Sequence, residues 1–190
     1  MGYRLLKEDL TVHQDTTVLE RQPMGLKLTL GRSEKERWSE EVVISANSPW
    51  PPLDWFGVGP MDIVSDRIAK IIQSMEKRVE LLPLTLNYRG GPPELRAFCL
   101  NTLDHLPVLD LAASEYEIDF GMVSTVTRVV LAPDALAAAE TADRALFQVG
   151  DIATQIYVVR DDLAELLLQS GMTGMQVVNP EDWRYGAFRD

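Results

Sequence analysis

Two stretches about half a chain apart have nearly the same sequence, and this internal repeat constrains the fold more than any other feature. The first reads VSDRIAKIIQS at residues 64–74, and the second reads VRDDLAELLLQS at residues 159–170. Each is followed by a short apolar segment that ends in proline. A helix–strand unit cannot cover its apolar face alone. The repeat therefore predicts two helix–strand units, at residues 61–83 and 156–180, that share one core.

Both helices of the repeat have clear signals at their ends. Ser65 is a suitable N-cap, and the apolar residues after it recur at the spacing of one helix face. In the second copy Arg160 takes the place of the serine, so capping is assigned to Asp161. Gly171 suits the position directly after a helix, where the backbone commonly adopts the left-handed conformation. We expect helices from residue 66 and over residues 161–170.

The rest of the chain is dominated by strand signals. The predicted elements are a strand at 26–30, a loop at 48–57, a hairpin of 79–88 with 94–101, a hairpin of 116–120 with 125–131, a short helix at 134–145 and a strand at 156–159. These elements predict an α+β fold with a mixed, mainly antiparallel sheet and few helices. Residues 1–60 are expected to form an irregular strand and loop region packed on the core, and residues 61–190 to form the repeat-containing domain.

Composition and charge restrict the classes of partner. The chain has 190 residues, one cysteine and a formal net charge of −11. It has no apolar run near 18 residues, so we expect no membrane partner, and the single cysteine favours the cytoplasm. A strongly acidic chain repels nucleic acid and associates faster with a basic partner. The alternative to a basic partner is that the negative charge serves only to keep the chain soluble.

The sequence contains no recognisable catalytic or metal-binding pattern. Its two histidines, His13 and His105, are far apart, and no Gly-x-Ser-x-Gly motif occurs. One cysteine and two separated histidines are too few for a Cys/His zinc site. Cys99 lies among apolar residues and is expected in the core. We therefore expect no catalytic residue, no cofactor and no metal, although a carboxylate-based enzyme stays open as an alternative.

One segment alternates acidic and apolar residues. Its acidic members are Glu115, Glu117 and Asp119, and its apolar members are Tyr116, Ile118 and Phe120. In a strand, this alternation places the carboxylates on one face and the apolar side chains on the other. The face is then either a solvated outer surface or an acidic ladder that binds a basic partner. We name the three acids as the candidate partner-binding residues.

The order of these motifs resembles a family of bacterial immunity proteins of polymorphic toxin systems. The resemblance rests on residues 62–72, 79–83, 114–115, 146–149 and 156–166, together with GMTGMQVVNP at 171–180. It implies a protein that binds and neutralises a cognate secreted toxin domain without catalysing a reaction. The partner would be a basic toxin domain, bound in the cytoplasm.

Several alternatives remain open from the sequence. The chain could instead be a small acidic module that self-associates, for example as a homodimer, or that binds a ligand. Trp50 or Trp55 could anchor a partner, but a place in the core is favoured for both. The resemblance does not identify the activity of the toxin.

Overall fold

A computed structural model describes residues 2–9, 17–21, 28–38, 42–46, 52–88 and 95–184. The strands are Tyr3–Glu8 (β1), Thr17–Arg21 (β2), Val43–Ala46 (β3), Trp55–Val58 (β4), Met61–Ser65 (β5), Val79–Tyr88 (β6), Leu95–Thr102 (β7), His105–Leu106 (β8), Glu115–Asp119 (β9), Met122–Arg128 (β10), Leu146–Val149 (β11), Tyr157–Arg160 (β12) and Met175–Val178 (β13). The helices are Asp66–Met75 (α1), Pro133–Thr141 (α2) and Asp161–Gln169 (α3), with short 3₁₀ helices at Leu28–Leu30 and Pro180–Asp182.

The strands form two sheets and a separate hairpin. One sheet has the order β13-β1-β12-β11-β8, the other has the order β2-β3-β6-β7-β5-β4, and β9 pairs with β10. Neighbouring strands are antiparallel except for β3 with β6 and β8 with β11. The predicted α+β class, with mixed and mainly antiparallel sheets, is confirmed.

The two repeat units have the same topology. In the first unit, β5 leads directly into α1 and then β6; in the second, β12 leads into α3 and then β13. An antiparallel strand lies between the two parallel strands of each unit, β7 in the first and β1 in the second. Each unit is thus a split β-α-β arrangement. The sequence gives no clear strand signal at residues 3–8, yet β1 completes the second unit.

The helices of both units bury equivalent positions in one common core. The buried pairs, each 95 residues apart, are Ile68 with Leu163, Ala69 with Ala164, and Ile72 with Leu167. Burial of a large aliphatic side chain contributes about 1.5–3 kcal/mol. Helices α1 and α3 are also in direct contact with each other. The prediction of a shared core is confirmed.

The two helices begin differently. The Ser65 hydroxyl accepts a hydrogen bond from the Ile68 N–H at 3.4 Å, as predicted for an N-cap. The N-cap residue of α3, Arg160, makes no side-chain cap bond, and the Asp162 carboxylate accepts the Leu163 N–H at 2.8 Å. The assignment of the capping role to Asp161 was therefore wrong. The Asp161 carboxylate instead accepts the N–H of Gly2 at 2.8 Å and pairs with Arg4 at 3.2 Å. Asp161 therefore ties β1 to the start of α3.

Two local predictions in the N-terminal third were also wrong. The described part of the predicted 26–30 strand is a 3₁₀ helix, in which Leu28 is buried and Leu30 is exposed. The predicted 48–57 loop contains strand β4, because Gly59 adopts a positive φ of 59° and lets β4 turn back to pair with β5. Residues 48–51 lie outside the described part. None of the described helices has the length and apolar character needed to cross a membrane.

Candidate functional site

The acidic segment forms one strand of a hairpin outside the two sheets. Asp119 pairs with Met122 across a two-residue turn, where Phe120 and Gly121 have φ values of 49° and 79°. Positive φ at both positions is the geometry of a type I′ turn. The predicted hairpin is confirmed, but its second strand begins at Met122, because the turn is shorter than the sequence suggested.

All three candidate acids are exposed on this hairpin. Glu115 forms an ion pair with Arg128 at 3.7 Å, across the two strands. Glu117 and Asp119 pair with no basic side chain among the described residues. The alternation of the strand therefore presents carboxylates to solvent, as expected. Their role in binding a partner stays a prediction.

The apolar side chains of the same hairpin are only partly covered. Tyr116 is half-buried and packs against the core cluster that contains Leu5, Phe147 and Val158. Ile118, Phe120 and Met122 are exposed by 66%, 97% and 59%, respectively. We call these three residues the apolar tip. The apolar side of the hairpin is thus covered at Tyr116 and uncovered nearer the turn.

The base of the hairpin is held firmly. The Ser114 hydroxyl accepts the N–H of Val130 at 2.9 Å and donates to its carbonyl at 3.2 Å. Val126 is fully buried, and its carbonyl accepts the indole N–H of Trp183 at 3.0 Å. A fixed base with an exposed end is how scaffolds commonly present binding groups.

A second candidate site is a cleft of about 390 Å³ where the two repeat units meet. Asp62 of β5 and Tyr157 of β12 occupy equivalent repeat positions, and the Tyr157 hydroxyl donates to the Asp62 carboxylate at 2.6 Å. The indole N–H of Trp55 also approaches that carboxylate, at 3.4 Å. The rings of Trp55 and Tyr157 meet edge to face, with centroids 5.2 Å apart. The sequence did not predict this site, because its only signal is that Asp62 and Tyr157 are separated by the 95-residue offset of the repeat.

The cleft perturbs the acidity of its groups. Burial raises the pKa of Asp62, and the nearby Glu8 carboxylate raises it too, against the opposing hydrogen bonds from Tyr157 and Trp55. Burial also raises the pKa of Tyr157 well above its usual value, and the Asp62 charge acts in the same direction. Asp62 is therefore a hydrogen-bond acceptor in an enclosed and weakly solvated place.

The other residues singled out from the sequence lie apart from both sites. Cys99 is fully buried, as predicted, and burial raises the pKa of its thiol. Trp55 is likewise a core residue, whereas Trp50 and His13 lie outside the described residues. Burial lowers the pKa of His105. In the described part of the chain, His, Cys, Asp and Glu side chains form no group of three that could hold a metal.

No protein-family model matches this chain, and no curated protein matches it.

Proposed function

We propose that this chain is a non-enzymatic immunity protein that binds a basic toxin domain in the cytoplasm and neutralises it. The observation that carries the proposal is the β9–β10 hairpin, which combines an exposed apolar tip with carboxylates that have no basic partner in the described chain. The resemblance of the repeat motifs to immunity proteins supports the same function.

The two parts of the hairpin would contribute differently to binding. Apolar side chains that become desolvated at the centre of an interface dominate its affinity, and an aromatic residue such as Phe120 is a common anchor. The carboxylates of Glu117 and Asp119 would mainly increase the rate of association and select a basic surface. The net charge of −11 acts in the same direction over longer distances. A specific complex would bury about 1,600 Å² in total.

The proposal is tested by reversing the charge of the hairpin. The variant carries Glu115→Lys, Glu117→Lys and Asp119→Lys, and it is co-expressed with toxic domains encoded next to the gene for this protein. We expect the natural chain to rescue growth against one such domain. We expect the variant to lose rescue and to associate at least about tenfold more slowly at low salt, because steering depends on local charge.

A matched control keeps the change in net charge and moves it elsewhere. Glu36→Lys, Asp134→Lys and Glu181→Lys alter three exposed acids outside the hairpin. This control should retain rescue and most of the association rate. If the natural chain rescues growth against none of the adjacent toxic domains, the proposed function is refuted.

The cleft supports a second candidate function, binding of a small molecule that donates hydrogen bonds to Asp62. Saturable quenching of tryptophan fluorescence by a member of a panel of amines and sugars would favour it. Binding should weaken as pH falls through the raised pKa of Asp62, since protonation removes the negative charge that makes the carboxylate a strong acceptor. Quenching that persists in Asp62→Asn at every pH would exclude this site.

A further inference from the structure

Strand β9 has one paired edge and one open edge among the described residues. The hydroxyls of Ser124 and Thr127 on β10 donate to the carbonyls of Glu117 and Glu115, at 3.4 and 3.2 Å. The backbone of these two residues therefore faces β10. Backbone groups of successive residues in a strand point to opposite sides. The N–H and C=O groups of Tyr116 and Ile118 consequently face away from β10, where no described strand pairs with them.

This open edge is suited to accept another strand. The two irregularities of the hairpin, at Ser124 and Thr127, both fall in β10, so β9 itself runs through five residues without a bulge. It contains no proline, and four of its five residues are exposed. Proteins usually protect an open edge with bulges, prolines or charges, and here only charge is present.

The charges decide which strand can pair there. Opposite charges on directly facing residues stabilise a strand pair, and like charges destabilise it. A second copy of β9 would bring Glu115, Glu117 and Asp119 against the same three acids. An approaching strand with lysine or arginine at alternate positions would neutralise them. The edge is therefore closed to self-pairing and complementary to a basic strand.

We propose that the open edge of β9 binds an extended basic strand of the partner by strand addition. The outward backbone groups of Tyr116 and Ile118 would bond to the added strand, while the acids would pair with its basic side chains. The inference rests on the proposed function only in taking that strand to belong to the toxin domain. Main-chain bonds would supply affinity and side chains specificity, as in other strand-addition complexes.

The test uses a blocked seven-residue peptide that alternates lysine with valine, at millimolar concentration. Amide exchange is followed by NMR for the natural chain. We expect the Tyr116 and Ile118 amides to exchange about tenfold more slowly with the peptide, since each gains a backbone bond. The Glu117 amide already faces β10 and should change little, so it is an internal control.

Matched peptides separate strand addition from simple charge attraction. Replacing the lysines with glutamine should weaken binding, and replacing them with glutamate should abolish it. A lysine peptide whose central valine is proline keeps its charge and loses a backbone donor. It should protect Tyr116 and Ile118 less than the parent peptide does.

A pair of variants tests the edge on the protein side. Ile118→Pro removes a backbone N–H that faces outward, which an edge strand tolerates. Ile118→Ala removes most of the side chain and keeps that N–H. The proline variant should lose about tenfold more affinity for the lysine peptide than the alanine variant loses. Protection of the Trp183 indole N–H, bonded to the Val126 carbonyl, reports whether the hairpin base stays folded.

The outcomes distinguish this inference from the proposed function. Peptide binding without protection of Tyr116 and Ile118, or equal binding of the lysine and glutamate peptides, would overturn strand addition. Protection that appears without peptide and grows with protein concentration would show self-pairing, which also overturns it. If the peptide protects both amides but no adjacent toxin is neutralised, strand addition stands and the immunity function fails.

Discussion

Two of the hairpins, β6–β7 and β9–β10, have similar apolar alternation in one strand and opposite surroundings. In β6, Leu82, Leu84 and Leu86 alternate along the strand, and all three are buried. In β9, Tyr116 and Ile118 alternate in the same way, yet Ile118 is largely exposed, as is Phe120 in the turn beyond. The pattern that identifies a strand therefore does not say whether its apolar face is covered.

Strand neighbours account for the difference between the hairpins. In the β6–β7 hairpin, β3 pairs with the outer edge of β6 and β5 pairs with the outer edge of β7, so both edges are closed. The β9–β10 hairpin belongs to neither sheet, and its apolar face extends beyond the core that covers Tyr116. One hairpin lies within a sheet of the core, and the other leaves apolar and acidic side chains exposed.

The largest predicted contrast is in stability. Leu84→Ala should lower the free energy of unfolding by about 2–5 kcal/mol, because it leaves a cavity in the core. Ile118→Ala, a change of similar size in the uncovered hairpin, should cost less than about 0.5 kcal/mol. Chemical denaturation measures both. Equal losses would mean that the apolar tip is packed, which contradicts the comparison.

A smaller contrast is expected between an acid in each hairpin. Glu80 of β6 accepts hydrogen bonds from the Asn101 side chain and from the Glu34 N–H, at 2.8 and 2.9 Å. Among the described residues, the Glu115 carboxylate of β9 has just the 3.7 Å ion pair with the exposed Arg128. Glu80→Gln should therefore cost about 1.5 kcal/mol, and Glu115→Gln less than about 0.5 kcal/mol.

The Glu80 effect should depend on pH. Burial raises the pKa of Glu80, but hydrogen bonds from Ser33, Glu34 and Asn101 outweigh it and lower the pKa below the usual 4.5. A lowered folded pKa gives stability that is present above the unfolded value and lost as pH falls through the folded one. The gap between the natural chain and Glu80→Gln should close below about pH 4.5. A gap that stays constant from pH 7 to pH 3 would contradict this explanation.

The features that the sequence predicted well are local ones. They are the apolar stripes of α1 and α3, the Ser65 cap of α1 and the Gly171 end of α3. Each depends on residues within a few turns of each other. Hairpin β6–β7 was likewise predictable, because the sequence Gly-Gly-Pro-Pro at residues 90–93 separates two segments rich in apolar residues. Such signals act over short distances and need no knowledge of distant partners.

The features that were missed depend on distant residues. Strand β1 carries Arg4, Lys7 and Glu8 and gave no strand signal, yet it pairs with strands that lie more than 150 residues away. The hydrogen bond between Tyr157 and Asp62 forms only when both repeat units have assembled. The exposure of the apolar tip depends on where the other segments of the folded chain lie. None of these follows from local spacing.

The last predicted change has the opposite sign, because it should stabilise the chain. Phe120 holds a φ of 49° while its side chain is 97% exposed, so this bulky residue bears backbone strain without packing in return. Phe120→Asn would create the Asn-Gly pair that type I′ turns favour, and it should stabilise the chain by about 1 kcal/mol. Phe120→Ala keeps a side chain at positive φ and should not stabilise it. Thermal unfolding of both variants, together with their affinity for the toxin, tests whether the strain at Phe120 serves binding. If Phe120→Asn gains stability and loses affinity, the strain serves binding; if it gains stability and keeps full affinity, Phe120 is not an anchor.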